Sequence, residues 1–158
     1  FYGNNFGLLD NVAVVGSSVE GYDGICLTSY FSKDTLRGAN VKLGNNVGVA
    51  KFNTGIQVYS GSLVAENVAS SSNRADGFMV TEGGSIHARS STASGNGIYG
   101  FHASYSGSIH ARSSTASENV TDYVAEKMGY IYCSGYKGTP TFSPAVNTEG
   151  NHNAIITT

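Results

Sequence analysis

The chain has 158 residues, 40% hydrophobic and only 13% charged, with 21 glycines and a formal net charge of −2. Its length fits one domain with a continuous core, and its low charge departs from the roughly one-quarter usual in globular chains, which points to a β-rich extracellular or virion-type protein. The nine Lys and Arg residues are scattered and no stretch approaches the ~20 apolar residues of a membrane helix, so neither a nucleic-acid partner nor membrane insertion is expected.

In chain order, the first recurring element is Gly24-Ile25-Cys26-Leu27, answered by Gly55-Ile56-Gln57-Val58 at a distance of 55 − 24 = 31 residues. Later units repeat every 23 residues, so this coil carries an insertion, most naturally the polar Ser32-Lys33-Asp34-Thr35-Leu36-Arg37 stretch as a surface loop. Residues 61–71 read GSLVAENVASS, and residues 84–94 and 107–117 are the identical string GSIHARSSTAS, displaced by 107 − 84 = 23. Between them, residues 74–80 lie over residues 97–103. A fixed period of this size is the mark of a solenoid.

Within each unit Ile86 and Ala88 alternate with His87 and Arg89, and Phe101 and Ala103 with Gly100 and His102, which is the strand period of two. Short strand segments separated by Gly, Ser and Asn predict an all-β, right-handed, single-stranded parallel β-helix whose coils stack at about 4.8 Å. Equivalent residues then form internal ladders: Leu63, Ile86 and Ile109; Ala65, Ala88 and Ala111; Phe78, Phe101 and Val124. Asn73, Asn96 and Asn119 form another column at the junction of two strands, where Asn tolerates the left-handed region and side-chain amides can hydrogen-bond along the stack. Gly129-Tyr130-Ile131-Tyr132 starts a further coil, but Pro140 and Pro144, the only two prolines, cannot donate to a ladder and should end regular stacking. Residues 1–137 are therefore read as coils and residues 138–158 as a terminal cap or connection to a neighbouring domain.

A stacked asparagine at a turn, with small and apolar residues inside, resembles the right-handed β-helices of pectate-lyase-type proteins. The Ser-Thr-Ala-Ser-Gly-Asn-Gly string at residues 91–97, set within Gly-Ser-Ile-x-Ala coils, further resembles the repeats of bacteriophage tailspikes and tail fibres. The resemblance covers roughly residues 38–129. It implies a homotrimer in the virion tail or extracellular space, with other tail proteins and a bacterial surface glycan as partners in host attachment. A polysaccharide depolymerase, lyase or glycoside hydrolase, is the alternative from another class. A third is a ligand-free trimeric shaft, which the near-identical coils and low charge fit. The chain starts at Phe1 with neither an initiator Met nor a leader pattern and is expected to be a fragment or processed piece of something longer.

Two outward columns carry candidate chemistry. Val64, His87 and His110 run beside Glu66, Arg89 and Arg112, placing two imidazoles and two guanidinium forks on one face. Arg suits a carboxylate or sulfate bidentately and His can shuttle a proton, so this is a candidate carbohydrate site; the alternative is a solvated face copied along with the repeat. No third ligand of suitable spacing accompanies the histidines, so no metal and no cofactor are expected. Asp76, Tyr99 and Asp122 are placed on a second column, with Asp23 further down, and two coils separate the outer carboxylates by about 10 Å. That separation suits glycan cleavage by paired carboxylates, although Asp before Gly is equally a turn residue. Glu82 and Glu126 add carboxylates near strand ends, Glu126 in line with Ala103 and Val80, and neither is read as catalytic.

For lyase chemistry His87, Arg89 and Tyr105 are the candidate base and cation, although no spacing fixes them together. Tyr99, Tyr105, Tyr130 and Tyr132 are exposed by strand parity and suit sugar stacking or structural edges. Asn119-Val120-Thr121 matches a glycosylation sequon, but Asn119 belongs to the inferred ladder. Cys26 and Cys133 are too few for a disulfide framework and should lie several coils apart, beyond the ~7 Å Cα limit of a bridge.

Overall fold

The computed structural model describes residues 13–15, 25–27, 40–43, 48–145 and 154–158. Each coil lays down three short strands. The first comprises β1 (Ala13–Val15), β2 (Ile25–Leu27) and β3 (Asn40–Leu43), and the second β4 (Gly48–Ala50), β5 (Ile56–Val58) and β6 (Ser62–Glu66). The third coil has β7 (Ala69–Ser71), β8 (Phe78–Val80) and β9 (Ser85–Arg89), and the fourth β10 (Thr92–Ser94), β11 (Tyr99–Ala103) and β12 (Ser108–Arg112). The fifth has β13 (Thr115–Ser117), β14 (Thr121–Ala125) and β15 (Tyr130–Tyr132), and a partial turn adds β16 (Phe142–Ser143) and β17 (Ile155–Thr157).

Strands one coil apart pair in parallel, giving three sheets: β1-β4-β7-β10-β13, β2-β5-β8-β11-β14-β16 and β3-β6-β9-β12-β15-β17. These are called here the first, second and third sheets. The protein is a parallel β-solenoid with coils about 23 residues long, about four of them described in full. Ladder pairing continues past Pro140 in two of the three sheets, since β16 pairs with β14 and β17 with β15.

The first coil carries its surplus in two gaps, the larger of them the one that holds the expected loop. Ala13 pairs with Gly48, Ile25 with Ile56 and Val41 with Leu63, so spacings of 35, 31 and 22 leave 35 − 31 = 4 surplus residues between β1 and β2 and 31 − 22 = 9 between β2 and β3. The Ser32–Arg37 stretch belongs to that gap and lies outside the described residues, as does Asp23.

Left-handed residues turn the chain at its corners, and they too recur coil by coil. Asn67, Ser90 and Ser113 have φ of 54°, 51° and 53°, and Ser72, Gly95 and Glu118 have 54°, 61° and 61°. The third corner uses residue pairs: Glu82 with Gly83, Tyr105 with Ser106, Lys127 with Met128. The expectation that the ladder asparagines themselves adopt this region is corrected: the residue before each of them does, which frees the Asn side chain to point into the corner.

The core is built from like upon like. Leu63, Ile86, Ile109, Ile131 and Ile156 form one fully buried column, and Ala65, Ala88 and Ala111 form the next. On the second sheet Phe78, Phe101, Tyr123 and Phe142 stack face to face, with successive centroids 4.9, 5.2 and 5.3 Å apart and ring planes within 16°. Tyr123, rather than Val124, takes the place above Phe101, because Tyr99 pairs with Thr121 and Phe101 with Tyr123. One residue is missing from the corner after Asn119 relative to the coil below, and a one-residue change of register moves each side chain to the other face. Val124 accordingly pairs with His102 on the outside.

The slip buries the Tyr123 hydroxyl with no hydrogen-bond partner among the described residues, and burial raises its phenol well above the ordinary range. Tyr123→Phe should therefore raise the unfolding free energy by about 1 kcal/mol, since it removes a desolvated hydroxyl and keeps the stacked ring. Urea unfolding of the two proteins measures the difference.

At the corner between the first and second sheets runs the asparagine ladder. Asn73 N–H and Nδ2 both donate to Asn96 Oδ1, at 3.1 and 2.9 Å, and Asn96 N–H and Nδ2 both donate to Asn119 Oδ1 at 2.9 Å. Glycine makes room for it: a Cβ on Gly77 would stand 2.8 Å from Asn96 Nδ2, and one on Gly100 would stand 2.8 Å from Asn119 Nδ2. In the fifth coil Asp122 occupies that glycine column. Its Oδ1 accepts from Asn119 Nδ2 at 2.8 Å and its Oδ2 from the Thr141 N–H and hydroxyl at 2.9 and 3.1 Å.

Cys26 lies in the first coil and Cys133 follows β15 in the fifth. Cys133 is free and buried; burial pushes its thiol up to about 11, and its Sγ–H donates to the Thr157 carbonyl.

Candidate functional site

Strand parity presents one face of the third sheet to solvent. Because Ile86, Ala88, Ile109 and Ala111 point inward, His87, Arg89, His110 and Arg112 must point out, and all four are exposed. The register stacks Lys42, Val64, His87, His110 and Tyr132 in one column and Glu66, Arg89 and Arg112 in another. The two imidazoles lie with centroids 4.8 Å apart, and His110 meets Tyr130 and Tyr132 edge-on at 6.2 and 6.0 Å. Arg89 Nη1 stands 3.9 Å from Glu66 Oε1. Partial burial, then the neighbouring His87, lowers the His110 pKa below the ordinary imidazole value. The face is a stripe of rings along the solenoid axis, flanked by two guanidinium groups one coil apart.

A second group of polar residues sits on the outer face of the second sheet. His102 Nδ1 lies 3.1 Å from Asp76 Oδ2, and its Nε2 lies 3.4 Å from Glu126 Oε1, so one imidazole joins carboxylates of the third and fifth coils. Asp76 and His102 are buried, Asp76 Oδ1 has no hydrogen-bond partner among the described residues, and the Tyr99 ring packs edge-on against His102 at 4.8 Å. Glu126 is half-exposed and 3.8 Å from Lys127 Nζ, which donates to Tyr105 Oη at 2.8 Å and sits 4.4 Å from the centre of that ring. The hydrogen bond to Tyr105 raises the pKa of exposed Lys127. A carboxylate–imidazole–carboxylate chain of this kind can carry a proton between a buried group and the surface.

The structure separates residues that the repeat alone placed together. Asp76 is level with Tyr99 and Thr121, whereas Asp122 is level with Gly100 and Gly77, so the two acids occupy different columns. Asp122 faces into the corner, where it terminates the asparagine ladder, and does not line a groove with Asp76. Glu126 is level with Ser104 rather than with Ala103 and Val80, for the same one-residue reason. Tyr105 makes its contacts with Lys127, at the corner joining the second and third sheets.

The chain through His102 was not anticipated. Its signal was present as a histidine with acids 26 residues before and 24 after it, about one coil each way. The unequal spacings hide this alignment from a strict 23-residue comparison. Compared with known proteins, the chain matches no family model, no curated protein and no solved structure.

Proposed function

We propose that the outer face of the third sheet binds a bacterial surface polysaccharide. In this reading the chain is the right-handed β-helical part of a trimeric phage tailspike or tail fibre and acts in host attachment. The observation that carries the binding role is the His87, His110, Tyr130 and Tyr132 stripe with Arg89 and Arg112 beside it. Rings offer flat apolar faces to sugars, and guanidinium forks hold their charged substituents. The stripe runs along the axis with a repeat of about 4.8 Å, so an extended glycan laid on it meets the same chemistry on successive coils.

The test is binding of purified capsular and lipopolysaccharide glycans from a strain panel to the protein and to Arg89→Gln/Arg112→Gln. The variant should bind about tenfold or more weakly, since each lost charge-assisted contact is worth about 1.5–3 kcal/mol, while its thermal unfolding stays unchanged.

A depolymerase is the second reading, favoured by the Asp76–His102–Glu126 chain and its Tyr105–Lys127 neighbours. New reducing or unsaturated ends, recorded in the same incubations and lost in Glu126→Gln, would establish it. Neither binding nor cleavage would favour the structural shaft.

A further inference from the structure

We infer that the His87–His110 pair makes this face a proton-linked site selective for anionic polysaccharide, sulfated or carboxylated, over neutral glycan. The inference rests on the binding role proposed above and adds the charge class of the ligand and its coupling to pH.

The backbone holds the two imidazoles on adjacent coils. Their strands pair residue for residue from Ser85–Ser108 to Arg89–Arg112, and the side chains on either side, Ile86, Ala88, Ile109 and Ala111, are fully buried. With centroids 4.8 Å apart, two imidazolium charges repel, and Arg89 and Arg112 on the same strands add to that repulsion. Partial burial together with the neighbouring ring already lowers the His110 pKa from 6.5. The free face therefore holds fewer protons than two isolated histidines would.

An anion lying over the pair reverses this balance, because it attracts both imidazolium charges and relieves their mutual repulsion. Binding then takes up protons, and by reciprocity protons strengthen binding. Among the described residues the other charged or titratable groups facing the pair are Glu66 on β6, Arg89 and Arg112 on β9 and β12, and Tyr130 and Tyr132 on β15, and the register places Lys42 of β3 in the same column. Among these side-chain types only histidine ordinarily changes charge between pH 5 and 8. Affinity for an anion should therefore rise as the pH falls through 6.5 and below. A neutral glycan gains nothing from the added charge.

The probes are dextran sulfate, which stays ionised throughout, and unsubstituted dextran, titrated calorimetrically at pH 8.0 and 5.5 in buffers of different ionisation heat. Dextran sulfate should bind roughly five- to tenfold more tightly at the lower pH, the effect of one or two surface charges a few ångströms from an anion. The buffer dependence of the heat should report net proton uptake. In His87→Gln/His110→Gln, which loses two rings of the stripe and should bind more weakly at pH 8.0, the residual affinity should be the same at both pH values with no proton uptake, although His102 and His152 remain. A pH dependence that survives in this variant overturns the proposal, and so does equal gain for dextran. Dextran sulfate binding that is lost in Arg89→Gln/Arg112→Gln but insensitive to pH overturns the proton linkage and leaves the binding role standing. Absence of binding at both pH values overturns both.

Discussion

Asn96→Ala is expected to lower the unfolding free energy by about 3–5 kcal/mol, enough to unfold much of a marginally stable solenoid. Asn96 is nearly fully buried and sits in the middle of the ladder. Its Oδ1 takes both donors of Asn73, and its Nδ2 serves the Ser70 carbonyl and Asn119 Oδ1. Truncation removes four side-chain bonds at once and strips the buried Asn73 N–H of its acceptor, while Asn73 Nδ2 keeps Ser70 Oγ and Asn119 Oδ1 keeps the Asn96 N–H; a buried group left unpaired costs roughly 1–3 kcal/mol. Alanine is too short to compensate, and Gly77, packed against the Asn96 amide, has no side chain to fill the gap. Equilibrium urea unfolding should show the midpoint falling. Loss of only ~1 kcal/mol would mean that water enters the corner and replaces the amide.

Phe101→Ala should be comparably damaging, at about 3–5 kcal/mol. Its ring is stacked on both sides, against Phe78 at 4.9 Å and Tyr123 at 5.2 Å, and it is fully buried. The cavity cannot close by sliding the neighbouring rings together, because each is fixed to a strand about 4.8 Å from the next. Phe101→Leu, which retains volume but not the stack, should lose less than half as much. Equal losses for the two variants, measured by the same unfolding titration, would show that stacking and not volume sustains the core.

The solenoid was legible because its cause is periodic. The identical strings at residues 84–94 and 107–117 place Ile86 on Ile109 and Ala88 on Ala111, and the asparagine column fixes one corner independently. What the period concealed was the place where it breaks. A single residue missing after Asn119 puts Tyr123 in the core, turns Val124 outward and sends Asp122 into the corner. Those changes dissolved an apparent acid–aromatic–acid column, and they brought Glu126 within reach of His102. The His87, Arg89, His110 and Arg112 face was readable because it lies wholly within the exact repeat. The Asp76–His102–Glu126 chain was not, because its members come from three different coils with unequal spacing.

The termination of the ladder at Asp122 has an electrical meaning. Each Asn amide donates toward the following coil, so their dipoles align head to tail, with the positive N–H end of the row at Asn119. A carboxylate sits on that positive pole, as acidic residues do at the start of an α-helix. The row therefore has a direction and a stop: another coil could be spliced in before Asn119 without disturbing it, whereas one added beyond would require glycine at position 122. The length of the asparagine row is thus written into one side chain.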